Sequence, residues 1–282
     1  MANKQLDEMS FLDHLEVLRW HLVRATISIA IAATLAFIFK RFIFDVIIFG
    51  PTHMTFPTYE GLCKMSQFLG MSDTTFCAQE FPFIIQNRTV AGQFSAHIWT
   101  SIYAGFIISF PYVLYQLWSF ISPGLKASER KNSRGFIIIA SLLFFIGVLF
   151  GYYIVTPLSL NFLANYQISD QILNEFDISD VIALVRTSSI ASGFVFELPI
   201  IVYFLTKVGL VTPQFLKKYR KFALVIVLIL SAIITPPDIA SQVIVAIPIL
   251  LLYQVSIYIS AVVVRNQTRK TTRENKKSTN KS

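Results

Sequence analysis

Charge is scarce in this sequence. Only 14% of its 282 residues are Asp, Glu, Lys or Arg, against about 25% in a typical soluble globular chain. Two stretches, Thr89 to Leu125 and Gly135 to Ser169, contain none of the four. Each is longer than the roughly 20 apolar residues that a helix needs to cross a bilayer. With 54% hydrophobic residues and a mean hydropathy of +0.60, the chain cannot be a disordered tail. It has only two cysteines, which excludes a disulfide-rich miniprotein, and no Gly-X-Y period, which excludes collagen. P-loop, Rossmann, HExxH and GxSxG signatures are all missing. Nothing resembles a nucleotide site, so any transport must draw its energy elsewhere. No CxxC occurs, and His53 and His97 lack metal-ligand spacing, so neither a metal nor a cofactor is expected.

What is present reads as an all-α polytopic membrane protein with six transmembrane helices. The expected spans are 22–39, 97–121, 135–157, 181–205, 222–235 and 242–264. Backbone amides in hydrocarbon need internal partners, which makes these segments helices. The fifth span is expected to be short. Its apolar run from Phe222 to Ile234 is bounded by Lys221 and by Thr235-Pro236-Pro237, and at 1.5 Å per residue it covers about 20 Å of a core about 30 Å thick.

The basic residues set the orientation. All but Lys40, Arg41, Lys64, Arg88 and Arg186 lie before or at the start of span one, between spans two and three, between four and five, or after six. Both termini are therefore expected in the cytoplasm. The net charge of +8 is a topology signal, so no nucleic-acid partner is expected. Lys40 and Arg41 run against the rule, as cations that snorkel at the outer headgroups. The organisation expected is one membrane domain over 1–264 and a basic, disordered cytoplasmic tail over 265–282. Within the domain, 1–21 is cytoplasmic and 45–96 is a periplasmic loop. Residues 1–21 are mixed in charge, with no apolar core before a small-residue cleavage site, which favours insertion into a bacterial inner membrane by the first span.

Several local features stand out. Ser10 to Asp13 matches a capping box, and Leu12, Leu15, Leu18 and Leu22 form one stripe, as in an amphipathic helix at the headgroups. Cys63 and Cys77 fall in the expected periplasmic loop, where either a disulfide or two unpaired thiols fit the spacing. Glu197 sits in an apolar helix, where a carboxylate costs about 2.5–3.5 kcal/mol at mid-membrane and must face protein or water. Arg186 lies eleven positions earlier, about 16 Å along the axis, too far for a salt bridge within the helix. Glu197 is thus either a satisfied interhelical hydrogen bond or a functional site. Ser189 and Gly193 form a small-xxx-small pair that lets another helix approach. Glu129 is the only acid among Lys126, Arg130, Lys131 and Arg134, and from composition alone reads as a solvated ion pair. Asp238 follows two prolines, where it can cap span six.

Taken together, several blocks resemble the TatC family, the large subunit of the twin-arginine protein translocase. They are His14-Leu15 with Leu18-Arg19, Tyr115 to Leu125 running on to Glu129-Arg130, Phe196-Glu197-Leu198-Pro199, and Thr235 to Gln242. They cover about residues 9–262 in the family's order. The resemblance implies a receptor for signal peptides bearing two adjacent arginines, in a system exporting folded proteins with the proton-motive force. It places Glu129 and Phe120 in a cytoplasmic signal-peptide site with the start of the first helix, including Glu16 and Arg19. It makes Glu197 an intramembrane polar site facing a partner helix, and Asp238 and Gln242 a periplasmic turn, with Pro51 following span one. Implied partners are TatA- and TatB-like single-span proteins, twin-arginine precursors, lipids and further copies of the chain. The family pattern has Glu where this chain has Val17, with Glu16 one position earlier. Either Glu16 supplies the second arginine-binding carboxylate or Glu129 acts alone. Arg186 and Glu197 also motivate an alternative, a proton-coupled small-solute transporter. An intramembrane enzyme ranks last, because no nucleophile–base pair is visible.

Overall fold

With neither Gly nor Pro between Phe11 and Ile38, nothing interrupts helix α1. The amphipathic start and the first span are one rod. The structure, a computed structural model, describes residues 11–68, 77, 81–121, 133–169, 171, 174–235 and 239–279. A π-helical segment, Phe42–Ile48, and a 3-10 turn, Gly50–Thr52, lead to α2 (Pro57–Phe68) and strand β1 (Phe83–Gln86). Helix α3 (Gly92–Ile121) follows. Helix α4 (Ser133–Phe150) passes through a π-helical turn, Gly151–Val155, into α5 (Thr156–Asn165). Strand β2 (Asn174–Asp177) pairs with β1. Then come α6 (Ile178–Phe196), α7 (Leu198–Lys207), α8 (Pro213–Lys218), α9 (Arg220–Ile234) and α10 (Ile239–Thr279).

Among the described residues, five helical stretches are long and apolar enough to cross a membrane: Leu15–Ile38, Gly92–Ile121, Gly135–Asn165, Ile178–Lys207 and Ser241–Arg269. The segment read as span five is α9, only 15 residues long. Two features differ from the sequence reading. The 45–96 segment holds helix α2 and strand β1. The tail over 265–282 was expected to be disordered, yet α10 continues to Thr279. After Pro248 the chain has no Gly or Pro, so a helix already nucleated by the preceding span meets no breaker as it propagates. Gln267 Nε2 also donates to the Lys207 carbonyl (3.0 Å), anchoring the extension.

The chain forms two compact units. In the first (Met1–Gly50, Ile85–Phe145 and Glu175–Arg186), α1 packs on α3. At Gly105 a Cβ would lie 2.6 Å from the Ala33 nitrogen, so only glycine allows this approach. Ser109 Oγ donates to the Ser28 carbonyl (3.0 Å), and Phe110 stacks on buried Phe144. Arg88 pairs with Glu175 at 2.9 Å. The Asp177 carboxylate accepts from the Ser179 amide (2.8 Å) and the Arg88 amide (3.2 Å). These backbone donors hold it below the usual carboxylate range.

The second unit (Pro51–Ile84, Ile146–Asn174 and Thr187–Ser282) has a core of Val155, Val227, Val245, Ala246 and Ile249. Gly147 and Gly151 lie against the backbone of α6 at Ser188, Ser189, Ser192 and Gly193, and any Cβ there would come within 2.8 Å of it. The small residues of α6 thus meet small residues of the preceding helix, the usual route to close packing in lipid. Pro157 lacks the N–H that would bond the Tyr153 carbonyl four residues back. Thr58 Oγ1 supplies the missing donor. Next to it, the Tyr59 hydroxyl lies 3.0 Å from both the Pro157 and Pro51 carbonyl oxygens. Helix α2 is therefore clamped to α5, and a disulfide joins its Cys63 to Cys77.

Candidate functional site

In the first unit, the N-terminal half of α1 runs beside the C-terminal end of α3. His21 Nδ1 donates to Gln116 Oε1 (2.6 Å), and the His21 ring meets Phe120 edge-on at 6.4 Å. Five residues before His21, Glu16 pairs with Arg19 at 3.5 Å, both side chains 65% exposed. An exposed ion pair of this kind contributes about 0–1 kcal/mol. Its carboxylate can therefore exchange partners at little cost. Arg19 also lies over the Trp20 ring, 5.6 Å from its centroid. Phe120, Glu16 and Arg19 are thus placed on two helices held together by His21 and Gln116. Glu129 lies outside the described residues. The His21–Gln116 bond was not foreseen, although a polar residue inside each apolar stretch was its available signal.

Glu197 belongs to the second unit and stands at a break in the helix. Phe196 ends α6, Leu198 starts α7, and Glu197 lies between them with φ −77° and ψ −6°. Pro199 is the cause, since its ring clashes with the carbonyl four residues back and it donates no hydrogen bond. The Glu197 carbonyl still accepts from the amides of Ile200 (2.9 Å) and Ile201 (3.0 Å). Its side chain is 7% exposed, and among the described residues Oε1 has no hydrogen-bond partner. Sequence reading put Glu197 inside a continuous helix and missed the break that Pro199 announces.

The Arg186 guanidinium lies over the Tyr103 ring, 4.3 Å from its centroid, within the first unit. A cation–π contact of this kind compensates a charge held away from water. Gln242, at the start of α10, donates from Nε2 to the Leu228 carbonyl of α9 (3.0 Å). Ser231 Oγ donates to the same oxygen (3.0 Å). Asp238 lies outside the described residues. Among those described, no group of three or more His, Cys, Asp or Glu side chains is arranged to hold a metal.

The family model described as Sec-independent protein translocase protein (TatC) matches residues 13–248. The chain belongs to the TatC family. It is 45% identical over 260 residues to the Sec-independent protein translocase protein TatC of Blattabacterium sp. subsp. Periplaneta americana, covering 92% of this chain and 97% of that protein. The TatC protein of Aquifex aeolicus is 34% identical, with 92% of this chain and 98% of that one covered. A crystal structure named Twin Arginine Translocase Receptor- TatC superposes with a TM-score of 0.66 at 30% identity, over 89% of this chain and 99% of the other. This member of the TatC family is therefore a multi-pass protein of the inner membrane, with the all-α polytopic fold expected from its composition.

Proposed function

We propose that this chain is the receptor subunit of a twin-arginine translocation system, binding Arg-Arg signal peptides and serving the export of folded proteins driven by the proton-motive force. The observation that carries this reading is the match to a crystal structure named as the twin-arginine translocase receptor, over 99% of that chain. The same match favours protein translocation over small-solute transport. In this reading both termini face the cytoplasm, α9 completes six spans, and the chain has no catalytic residue.

The signal peptide meets the cytoplasmic ends of α1 and α3. Glu129 receives one guanidinium through two parallel hydrogen bonds, a geometry that Lys cannot reproduce. Phe120 offers an apolar wall. Glu16, exposed and, among the described residues, paired with neighbouring Arg19, would take the second arginine in place of the family's Glu at the Val17 position. Glu197, buried with an open oxygen, is the polar contact for a TatA- or TatB-like span, and Asp238 and Gln242 shape the periplasmic turn. Working assemblies contain several copies of the chain.

The test is binding of Arg-Arg and Lys-Lys signal peptides to the purified protein in nanodiscs. The Arg-Arg peptide is expected to bind tighter, and Glu129→Ala to weaken it about tenfold or more, the range of a hydrogen bond to a charged group. Equal binding of the two peptides overturns the proposal. So does solute uptake by the chain alone in liposomes.

A further inference from the structure

One feature of the charge pattern is left over by translocation. Lys40 and Arg41 lie on the side where the chain keeps few basic residues. In the structure both line a cavity of about 410 Å³ in the first unit, with Phe44, Asp45, Phe94 and His97 among its other walls. Its depth follows from the helices around it. The first span ends at Ile38, the second begins at Gly92, and the fourth begins at Ile178, which also lines the cavity. Three span ends meet there, so it opens where water meets acyl chains.

The walls divide by chemistry. The His97 ring stacks on Phe37 (3.9 Å between centroids) and meets Phe44 edge-on (5.6 Å). Its Nε2 donates to the Phe37 carbonyl (3.1 Å), so the imidazole is committed to holding the end of α1. Phe94 is 64% exposed, an apolar ring left open at the cavity wall. Neither Lys40 nor Arg41 has an ion-pair partner among the described residues. With Asp45 as the one acid, the cavity carries one surplus positive charge.

We propose that this cavity holds an anionic phospholipid, its phosphate between Lys40 and Arg41 and its acyl chains against Phe44 and Phe94. A phosphodiester carries one negative charge and matches the surplus. Inorganic phosphate carries about one and a half near neutral pH and leaves the phenylalanines in water. The proposal rests on the orientation given above only for the leaflet, which is then the periplasmic one. It also explains why two cations are tolerated on that side, since lipid phosphates neutralise them.

The experiment uses the full chain in mild detergent, with native mass spectrometry of bound phosphatidylglycerol and phosphatidylcholine of identical acyl chains. Phosphatidylglycerol is expected to be retained preferentially. Lys40→Gln and Arg41→Gln should each reduce its retention roughly fivefold, the effect of one basic residue at an anionic membrane surface. The charge-preserving pair Lys40→Arg with Arg41→Lys should keep it, and Asp45→Asn should raise it. Asp45→Asn retains both cations, so it tests the idea even where a Gln variant fails to fold. Equal retention of the two lipids, retention unchanged in the Gln variants, or displacement by inorganic phosphate overturns the proposal. Arg-Arg peptide binding measured on the same samples separates this outcome from the receptor reading. Lost lipid selectivity with intact peptide binding sinks only the lipid site, and the reverse sinks only the receptor.

Discussion

Tyr59 is fully buried, and its hydroxyl stands between two proline carbonyls, 3.0 Å from each. Burial pushes the phenol up, so it remains a donor well above neutral pH. Tyr59→Phe keeps the ring and removes the donor. It is expected to destabilise the fold by about 0.5–1.5 kcal/mol, the net contribution of one hydrogen bond, read as a drop in melting temperature in detergent. An unchanged melting temperature would show that water replaces the hydroxyl. Nothing in the sequence announced this residue, because its partner Pro157 is 98 positions away. Glu197 was conspicuous for the opposite reason: a charged side chain in a helix of apolar ones needs no partner to be noticed. Glu197→Ala is expected to leave Arg-Arg peptide binding within about twofold, a surface-like effect, while weakening co-purification of TatA- and TatB-like proteins and export. Wild-type export by that variant would assign Glu197 to packing.

At the scale of elements, the seam between the helix carrying Gly147 and Gly151 and helix α6 depends on the absence of side chains. At Gly151 a Cβ would sit 2.3 Å from the Ser188 carbonyl oxygen, a backbone atom that cannot swing away. Gly151→Ala is therefore expected to cost about 1–3 kcal/mol through overpacking. Gly61, in α2, has nothing within 4 Å of its Cβ position, so Gly61→Ala should instead stabilise by about 0.5–1 kcal/mol. Thermal unfolding of the two variants should shift in opposite directions, and a shared sign would refute the seam. The small-xxx-small pair was legible in the sequence, but its partner was not, since spacing on one helix says nothing about which helix meets it. The junction between β2 and α6 answers to pH. Asp177 titrates below the ordinary value in the folded chain. Its stabilising contribution is complete above the unfolded value of about 3.9 and is lost as pH falls through the lower folded one. Hydrogen exchange of the Ser179 and Arg88 amides should accelerate over that acidic window, and Asp177→Asn should abolish the dependence.

For the whole molecule, the long charge-free stretches made the spans readable, because hydrocarbon imposes one rule on every residue it touches. Folded segments outside the spans were less readable: α2 is held by a disulfide and by carbonyls of a distant helix, neither of which has a periodicity. The proposed signal-peptide site was legible only as a pattern of residue types, and Glu129, the acid assigned to it, lies outside the described residues. The short α9 connects composition to the membrane itself. Fifteen residues give about 22 Å of helix, about 8 Å less than a typical hydrocarbon core. Ser231 and Thr235 return their hydroxyls to carbonyls within α9, and Pro236 and Pro237 bar its extension in sequence. If α9 crosses the membrane, either the Lys217–Lys221 turn before it snorkels or the bilayer thins around it, at a cost of fractions of a kcal/mol for each ångström of mismatch. Reconstituted into a series of phosphatidylcholines of increasing chain length, the protein should show its highest melting temperature in the thinner bilayers and lose stability steadily as the core thickens. Extending α9 by one turn of leucine should move the optimum by about 5 Å. A melting temperature indifferent to thickness in both forms would mean that α9 does not span, leaving five crossings and putting the two ends of the chain on opposite sides.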